Sequence, residues 1–269
     1  MFEKSVAETP FYRPGGASVE GLERVESLPT TAGPWTSSAQ HAGPPAALLV
    51  RALEALPEAA DRVVARVAVD LLGPVPIGPL ATTATVLRPG RSVALVEAEL
   101  HDLAAARVVA RAPAWLMPTG TAGPSTPVET LDHAPEDGLS LERPEGWLGG
   151  YLDAIEWRWI SGSLERPGPG VVWMRAPDLV EGQEISPLQR LVACVDSASG
   201  IGSALDVTQW AFMNTELTVH VLRPPVGPWL CVDATTTLVG TSVGLATSTV
   251  HDRDGLVARS SQALLVTRR

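Results

Sequence analysis

An internal repeat constrains the fold of this chain more than any other feature of its sequence. The segment SVALVEAELHD at residues 92–102 matches SVGLATSTVHD at residues 242–252. A Leu-x-Pro step precedes each segment at the same spacing, at residues 72–74 and 222–224. Because the same pattern of apolar residues has to be buried twice, we infer a duplicated chain whose two halves contain equivalent elements.

The first half predicts one helix followed by four strands. In HAGPPAALLVRALEALP, Gly43 and two prolines open the helix and Pro57 lies at its end. One face of the helix is apolar, and the only internal acid, Glu54, points almost opposite to it. That face consists of Leu48, Leu49, Ala52, Leu53 and Leu56. Strand-like runs lie at residues 62–72, 80–88, 92–101 and 107–117, and a shorter one precedes the helix at residues 19–25.

The second half centres on SPLQRLVACVDSASG, residues 186–200. Ser186 is a favourable N-cap, Pro187 suits the first helical position, and Gly200 is the predicted C-cap. Apolar residues recur at the spacing of one helical face, namely Leu188, Leu191, Val192 and Val195. Strand-like runs lie at residues 157–161, 171–175, 217–222, 229–238, 242–251 and 256–266.

Each half therefore predicts an α+β unit in which a mainly antiparallel sheet wraps around one long helix. In such a unit the apolar faces of the sheet and the helix bury each other. A stretch rich in Gly, Pro and acidic residues separates the two units. We predict an N-terminal repeat over residues 1–117, a linker over residues 118–146 and a C-terminal repeat over residues 147–269.

The composition excludes several classes of function. The formal net charge is −10 and the pI is near 5.0, without a run of Lys or Arg, so we expect no nucleic-acid or membrane partner. The N-terminus lacks the order of a signal peptide, and no segment approaches the ~18 apolar residues of a membrane span, which predicts a cytoplasmic protein. The glycines form no phosphate-binding loop and the histidines lack ligand-like neighbours, so we expect no cofactor and no metal ion.

One acidic residue in the second helix is unusually placed. Asp196 lies four residues after Val192, on the flank of the apolar stripe and in the last turn of the predicted helix. Burial disfavours a carboxylate, and the negative end of the helix dipole repels one by roughly 0.3–1 kcal/mol. Asp196 is therefore either a functional acid with polar partners or a structural acid that bonds nearby backbone or turns to water, and the sequence leaves both interpretations open.

Four motifs show a family resemblance that covers nearly the whole chain. They are HAGPPAALLVRAL, RPGRSV, NTELTVHVLRPP and DRDGLVARSSQALLV. In order and spacing they resemble the thioesterase-like superfamily that includes the type II acyl-CoA thioesterases. The resemblance implies a double hotdog fold, in agreement with the duplicated helix and sheet. It also implies a cofactor-free hydrolase of fatty acid metabolism that converts an acyl-CoA or related thioester to a carboxylic acid and CoA, and a homodimer or higher homo-oligomer.

The same resemblance implies the catalytic residues. In that family an Asp from the second helix, a polar strand residue and a Gln on the last strand position water for attack on the thioester. These residues correspond to Asp196, Asn214 and Gln262 here, with Thr215 beside the asparagine. The family has Thr where this chain has Asn214, whose amide can hold a water but cannot act as a hydroxyl group. When the halves are aligned through their VAR tripeptides, Gln262 corresponds to Ala114, so we expect one complete site per chain.

Thioester hydrolysis needs groups of these kinds on chemical grounds as well. A water has to lose a proton, and the developing oxyanion needs hydrogen-bond donors. Asp196 is the candidate base or water-orienting anion. Backbone N–H groups near Gly43, at the electropositive start of the first helix, are candidate oxyanion donors, with simple helix entry as the favoured alternative. His41 precedes this helix and is a candidate for contact with the substrate or for capping the helix.

Other functions also fit this kind of fold, because hotdog scaffolds serve as dehydratases and binding modules too. A hydratase or dehydratase would pair an Asp with a His at the start of the helix, and the helix after Ser186 contains no His. Because this chain has Asn214, a non-catalytic function also remains open, namely that of a binding or assembly protein for acyl-CoA or an acyl carrier. The sequence GTSVG at residues 240–244 matches a nucleophile elbow in letters only, since a strand is predicted to follow it.

Overall fold

Residues 9–16, 22–120, 123–128 and 130–269 are described by a computed structural model. The strands of the first half are β1 (Tyr12–Pro14), β2 (Glu23–Ser27), β3 (Arg62–Leu71), β4 (Pro79–Arg88), β5 (Ala94–Asp102) and β6 (Arg107–Pro118). Those of the second half are β7 (Glu156–Ser161), β8 (Gly170–Arg175), β9 (Trp210–Asn214), β10 (Glu216–Val221), β11 (Leu230–Leu238), β12 (Val243–Asp252) and β13 (Gly255–Arg268). The α-helices are α1 (Gly43–Glu54), α2 (Tyr151–Ala154), α3 (Pro187–Val195) and α4 (Ala198–Ile201).

The strands form one sheet, and its order repeats about the centre. The order is β1-β2-β4-β5-β6-β3-β10-β13-β12-β11-β8-β7, and β9 pairs with the far end of β13. From the central pair of β3 and β10, the strands β6, β5 and β4 follow on one side, and β13, β12 and β11 follow on the other. The two matching sequence segments lie on β5 and β12. The repeat in the sequence is therefore also a repeat in the topology of this antiparallel sheet.

The predicted strands are confirmed to within a few residues, but the helices differ from the prediction. With 12 residues in α1 and nine in α3, the long helix expected in each repeat is not confirmed. α3 ends at Val195 with Asp196 as its C-cap, and Gly200, the predicted C-cap, lies inside the separate helix α4. Of the short strand predicted at residues 19–25, residues 19–21 lie outside the described ranges and the rest overlaps β2. No helix within those ranges combines the length and apolarity needed to cross a bilayer.

α1 and α3 run in opposite directions and pack against each other beside the sheet. The start of α1 at Gly43 lies against the end of α3 at Ala193. At the other end of the pair, Ser186 Oγ before α3 donates a hydrogen bond to Glu54 at the end of α1. α1 contacts β4, β5 and β6, whereas α3 contacts β8 and β11. The apolar faces of both helices join one core that draws residues from both halves. Each fully buried Leu or Val contributes roughly 1.5–3 kcal/mol to this packing.

Candidate active site

The sequence of α3 places Asp196 at a fixed point at the end of the helix. Ser186 Oγ accepts a hydrogen bond from Gln189 N at 3.1 Å, and Ser186 N donates to Gln189 Oε1 at 3.4 Å, so the helix starts with a capping box. Leu191, Val192 and Val195 on its apolar face are fully buried, Leu188 is partly buried, and Asp196 is only 4 % exposed. The acid therefore does not turn to water.

Three side chains from other elements hold the carboxylate of Asp196. Oδ1 accepts hydrogen bonds from Asn214 Nδ2 at 2.7 Å and from Gln262 Nε2 at 3.1 Å. Oδ2 lies 3.1 Å from His41 Nδ1. The structure thus brings together four of the residues singled out in the sequence, from α3, β9, β13 and the segment before α1. Polar partners of this kind are what a buried carboxylate requires.

Gln262 is completely buried behind Asp196. Its Nε2 also donates to the backbone oxygen of Asp196 at 3.0 Å, while its Oε1 accepts from the backbone N–H of Ser199 at 3.0 Å. Every polar atom of the amide is therefore used within the protein, and Gln262 is not among the described residues that line the cavity. In this position the amide ties the end of α3 and the start of α4 to the last strand.

His41 stands beside Asp196 although it belongs to the other half of the chain. Its ring stacks on the ring of Tyr151, with centroids 3.7 Å apart and planes inclined by 3°. The Tyr151 hydroxyl donates to Ala193 O and accepts from Ser197 Oγ, both at 2.8 Å. The sequence predicted no His on the helix after Ser186, and α3 contains none. The histidine beside Asp196 comes instead from the segment before α1, whose N-terminus meets the end of α3.

The electrostatics of this corner explain how a carboxylate can stay at the end of α3. The negative end of α3 disfavours Asp196, but the positive N-terminus of α1 lies next to it and acts in the opposite sense. Burial lowers the pKa of His41, and the charge of Asp196 opposes this effect in part. Because the pKa of His41 is lowered, its imidazole is neutral near pH 7. Burial raises the pKa of Tyr151 well above its ordinary value, so its phenol stays neutral.

Gly43 allows the close approach of the two helices. A Cβ atom at this position would lie 2.3 Å from Ala193 O, so no other residue fits without a shift of the backbone. The backbone N–H of Gly43 points to His41 Nδ1 at 3.2 Å. The structure therefore directs this N–H towards His41, and not into the cavity where an oxyanion donor would be needed.

An apolar cavity of about 510 Å³ lies against this polar corner. Its polar end is formed by His41, Asp196, Ser197, Asn214 and Thr215. Most of its remaining wall is apolar, and four aromatic side chains belong to it: Trp35, Trp147, Trp157 and Phe212. Trp157 is partly buried and packs against the core as well. Within the described ranges, no group of three or more His, Cys, Asp or Glu side chains could hold a metal ion.

Comparison with protein families gives two matches. The model of the acyl-CoA thioesterase N-terminal domain matches residues 31–117, and that of the acyl-CoA thioesterase C-terminal domain matches residues 135–266. Together they cover most of the chain. Among curated proteins no match is found.

Solved structures share the fold at low sequence identity. A protein of unknown function with a hotdog fold from Alicyclobacillus acidocaldarius is 18% identical, with a TM-score of 0.74 over 93% of this chain and 95% of that one. The acyl-CoA thioesterase II TesB2 of Mycobacterium marinum is 15% identical, with a TM-score of 0.68 over 94% and 96%. The dehydratase domain of PpsC from Mycobacterium tuberculosis, solved with C12:1-CoA, is 16% identical, with a TM-score of 0.55 over 96% and 99%. These likenesses establish the hotdog fold, and with the two domain matches they show that the chain belongs to the acyl-CoA thioesterase family.

Proposed function

We propose that this protein hydrolyses the thioester bond of an acyl-CoA or a related acyl thioester, releasing a carboxylic acid and a thiol. One observation carries the proposal. The buried carboxylate of Asp196, held by Asn214, Gln262 and His41, lies at the polar end of a cavity whose wall is mainly apolar. A cavity of about 510 Å³ falls within the range of roughly 300–1,000 Å³ that is usual for small-molecule sites.

The geometry supports distinct roles for the polar residues. The acyl group would occupy the apolar part of the cavity, which places the thioester carbon near Asp196. Asn214 uses one amide N–H on Asp196, and its second N–H remains to orient the water or the carbonyl oxygen. Thr215 lies in the same wall, and its hydroxyl donates to the backbone oxygen of Ala263 at 3.4 Å. Gln262 acts through Asp196, because its amide does not face the cavity. We further propose that residues 1–117 and 147–269 are the two repeats that build this site jointly.

A second candidate function is the hydration of an enoyl thioester, or the reverse dehydration. The observation that favours it is the distance of 3.1 Å between His41 Nδ1 and Asp196 Oδ2, an Asp–His pair of the kind expected for such enzymes. The two reactions differ in their products. Hydrolysis releases a free thiol, whereas hydration removes the double bond and leaves the thioester intact.

Thiol release from short, medium and long acyl-CoAs tests the proposal. The Asp196→Asn variant keeps the size of the side chain. Its rate should be about 10²–10⁴-fold lower than that of the wild-type protein, as expected when a base or its partner is removed. Asp70→Asn is the matched control, because that acid pairs with Arg111 outside the cavity lining. We expect it to keep full activity. Consumption of enoyl-CoA without thiol release would favour the second candidate, and tight acyl-CoA binding without any reaction would overturn both in favour of a binding protein.

A further inference from the structure

We propose that His41, from the first half of the chain, is the catalytic base of this site and that Asp196, from the second half, is the residue that positions it. The inference rests on the proposed hydrolysis, because it assigns the proton transfers of that reaction. It also makes the site a composite of both halves, so that neither half contains a complete set of groups.

The hydrogen bonds around His41 Nδ1 locate one proton. Nδ1 and Asp196 Oδ2 are both acceptors when unprotonated, and they lie 3.1 Å apart, so a proton has to lie between them. The backbone N–H of Gly43 also lies 3.2 Å from Nδ1, and it can donate to this atom only while Nδ1 carries no proton. Asp196 Oδ1 accepts two amide hydrogen bonds, which suits an ionised carboxylate, and a charge-assisted bond is stronger than a neutral one. The proton therefore belongs on Nδ1, which leaves the lone pair on Nε2.

The imidazole of His41 is more accessible from the cavity than the carboxylate of Asp196, which favours the imidazole as the base. The side chain of Asp196 is 3 % exposed and both of its oxygens have partners. The side chain of His41 is 15 % exposed and lines the cavity, and no described residue forms a hydrogen bond with its Nε2. Stacking on Tyr151 fixes the plane of the ring. A water in the cavity can thus reach His41 Nε2 more readily than either oxygen of Asp196.

The reaction then balances without any further reagent. A water oxygen attacks the thioester carbon while one water proton passes to His41 Nε2, which becomes an imidazolium held by Asp196. The tetrahedral intermediate collapses, the C–S bond breaks, and the proton on Nε2 passes to the leaving sulfur. The products are a carboxylic acid and a thiol, and His41 returns to its neutral form. A positioned base of this kind contributes about 10²–10⁴-fold to the rate.

The surroundings of His41 predict how the rate depends on pH. The titratable groups that face the ring are Asp196 at the end of α3 and Tyr151 on α2, and the N-terminus of α1 adds a positive dipole. Since burial lowers the pKa of His41 from 6.5, the base is neutral and active at pH 7. The rate should therefore fall as the pH decreases through a pKa below 6.5.

The test combines activity with a measurement that needs no turnover. The His41→Ala variant should release thiol at least 100-fold more slowly than the wild-type protein, and added imidazole should raise the rate of this variant at least tenfold. His220→Ala, which removes an exposed histidine on β10, should do neither. In ¹⁵N-histidine NMR spectra, wild-type His41 should carry its proton on Nδ1 at neutral pH. In Asp196→Asn, whose amide can donate to Nδ1, the proton should move to Nε2.

The outcomes separate this inference from the proposed function. If the wild-type protein releases no thiol from any acyl-CoA, hydrolysis itself is rejected, and the role of His41 in it is rejected as well. If the wild-type protein is active and His41→Ala or His41→Gln keeps its rate within threefold, His41 is not the base. A wild-type pH profile that shows no fall of the rate on its acidic side, or a wild-type His41 with its proton on Nε2, would overturn the inference even if the variants failed to fold.

Discussion

The carbonyl oxygen of Ala193 approaches Gly43 so closely that a Cβ atom on the glycine would lie 2.3 Å from it. The backbones of α1 and α3 are therefore in direct contact at this point. His41 lies two residues before Gly43, and Asp196 lies three residues after Ala193. The close contact of the helices is thus what brings the imidazole to the carboxylate.

Substitution of Gly43 should disturb both stability and activity. In Gly43→Ala the helices have to separate, which we expect to cost about 1–3 kcal/mol of the free energy of unfolding, as for other overpacked sites. Thiol release should fall as well, because His41 moves away from Asp196. Urea denaturation and a thiol assay measure the two effects.

Gly200→Ala is the control for the stability measurement alone, because Gly200 lies in the wall of the cavity. A Cβ atom on Gly200 would lie 3.7 Å from Leu164 Cδ2, which is an ordinary contact, and Gly200 lies within α4. Replacing a helical Gly by Ala should stabilise the protein by roughly 0.5–1 kcal/mol. Equal stability of Gly43→Ala and the wild-type protein would show that the helices do not need this close contact.

The opposite end of the helix pair is closed by Glu54. Its carboxylate accepts hydrogen bonds from Ser186 Oγ at 2.8 and 2.9 Å and from Gln189 Nε2 at 2.7 Å, so it lies at the positive N-terminus of α3. Ser186→Ala removes both the N-cap and this contact, and should lower the free energy of unfolding by about 0.5–2 kcal/mol. In a double-mutant cycle with Glu54→Gln, measured by urea denaturation, the effects of the two substitutions should not add. Simple additivity would contradict direct coupling between the two ends of the helices.

The titration of Glu54 should be visible in the stability of the protein. Burial raises the pKa of Glu54 from 4.5, in opposition to its hydrogen bonds with Gln189 and Ser186. The folded state therefore binds this proton more tightly than the unfolded state, and the contribution of Glu54 to stability decreases as the pH rises from about 4.5 through the raised pKa. Glu54→Gln cannot titrate, so the stability of the wild-type protein relative to it should decrease over the same range. A difference that stays constant from pH 4 to pH 8 would contradict the raised pKa.

Much of the sheet could be predicted because the signals for strands are local. Runs of apolar residues between Gly and Pro turns marked β3 to β6 and β10 to β13, and the matching SV segments placed β5 and β12 in equivalent positions. The strand β9 was missed. Its sequence WAFMN is short, and it pairs only with the end of β13, so no local pattern distinguishes it from a loop.

The candidate site was predictable in its individual residues but not in their geometry. Asp196 was conspicuous because a carboxylate on the flank of a buried helix needs partners. The partnership with His41 depends on how α1 and α3 are placed relative to each other, and a linear sequence does not show that arrangement. A usable signal was the position of His41 directly before α1. If the two helices are assumed to be antiparallel, the residue before one helix lies close to the end of the other. The burial of Gln262 likewise depends on which face of β13 meets α4.

The aromatic wall of the cavity should contribute to substrate binding more than to the chemical step. Trp35 is 45 % exposed, tilts against Trp147 with centroids 4.6 Å apart, and lies under the guanidinium group of Arg269 at 5.1 Å. Since an aromatic contact is worth about 0.5–1.5 kcal/mol, Trp35→Ala should raise KM for the preferred acyl-CoA by roughly three- to tenfold and leave kcat nearly unchanged. Trp229→Ala is the matched control, because Trp229 pairs with Arg175 at 5.4 Å but lies outside the cavity lining. A decrease of kcat in Trp35→Ala at unchanged KM would mean that the indole acts on the reacting end of the substrate, and an equal rise of KM in both variants would mean that this wall does not hold the acyl group.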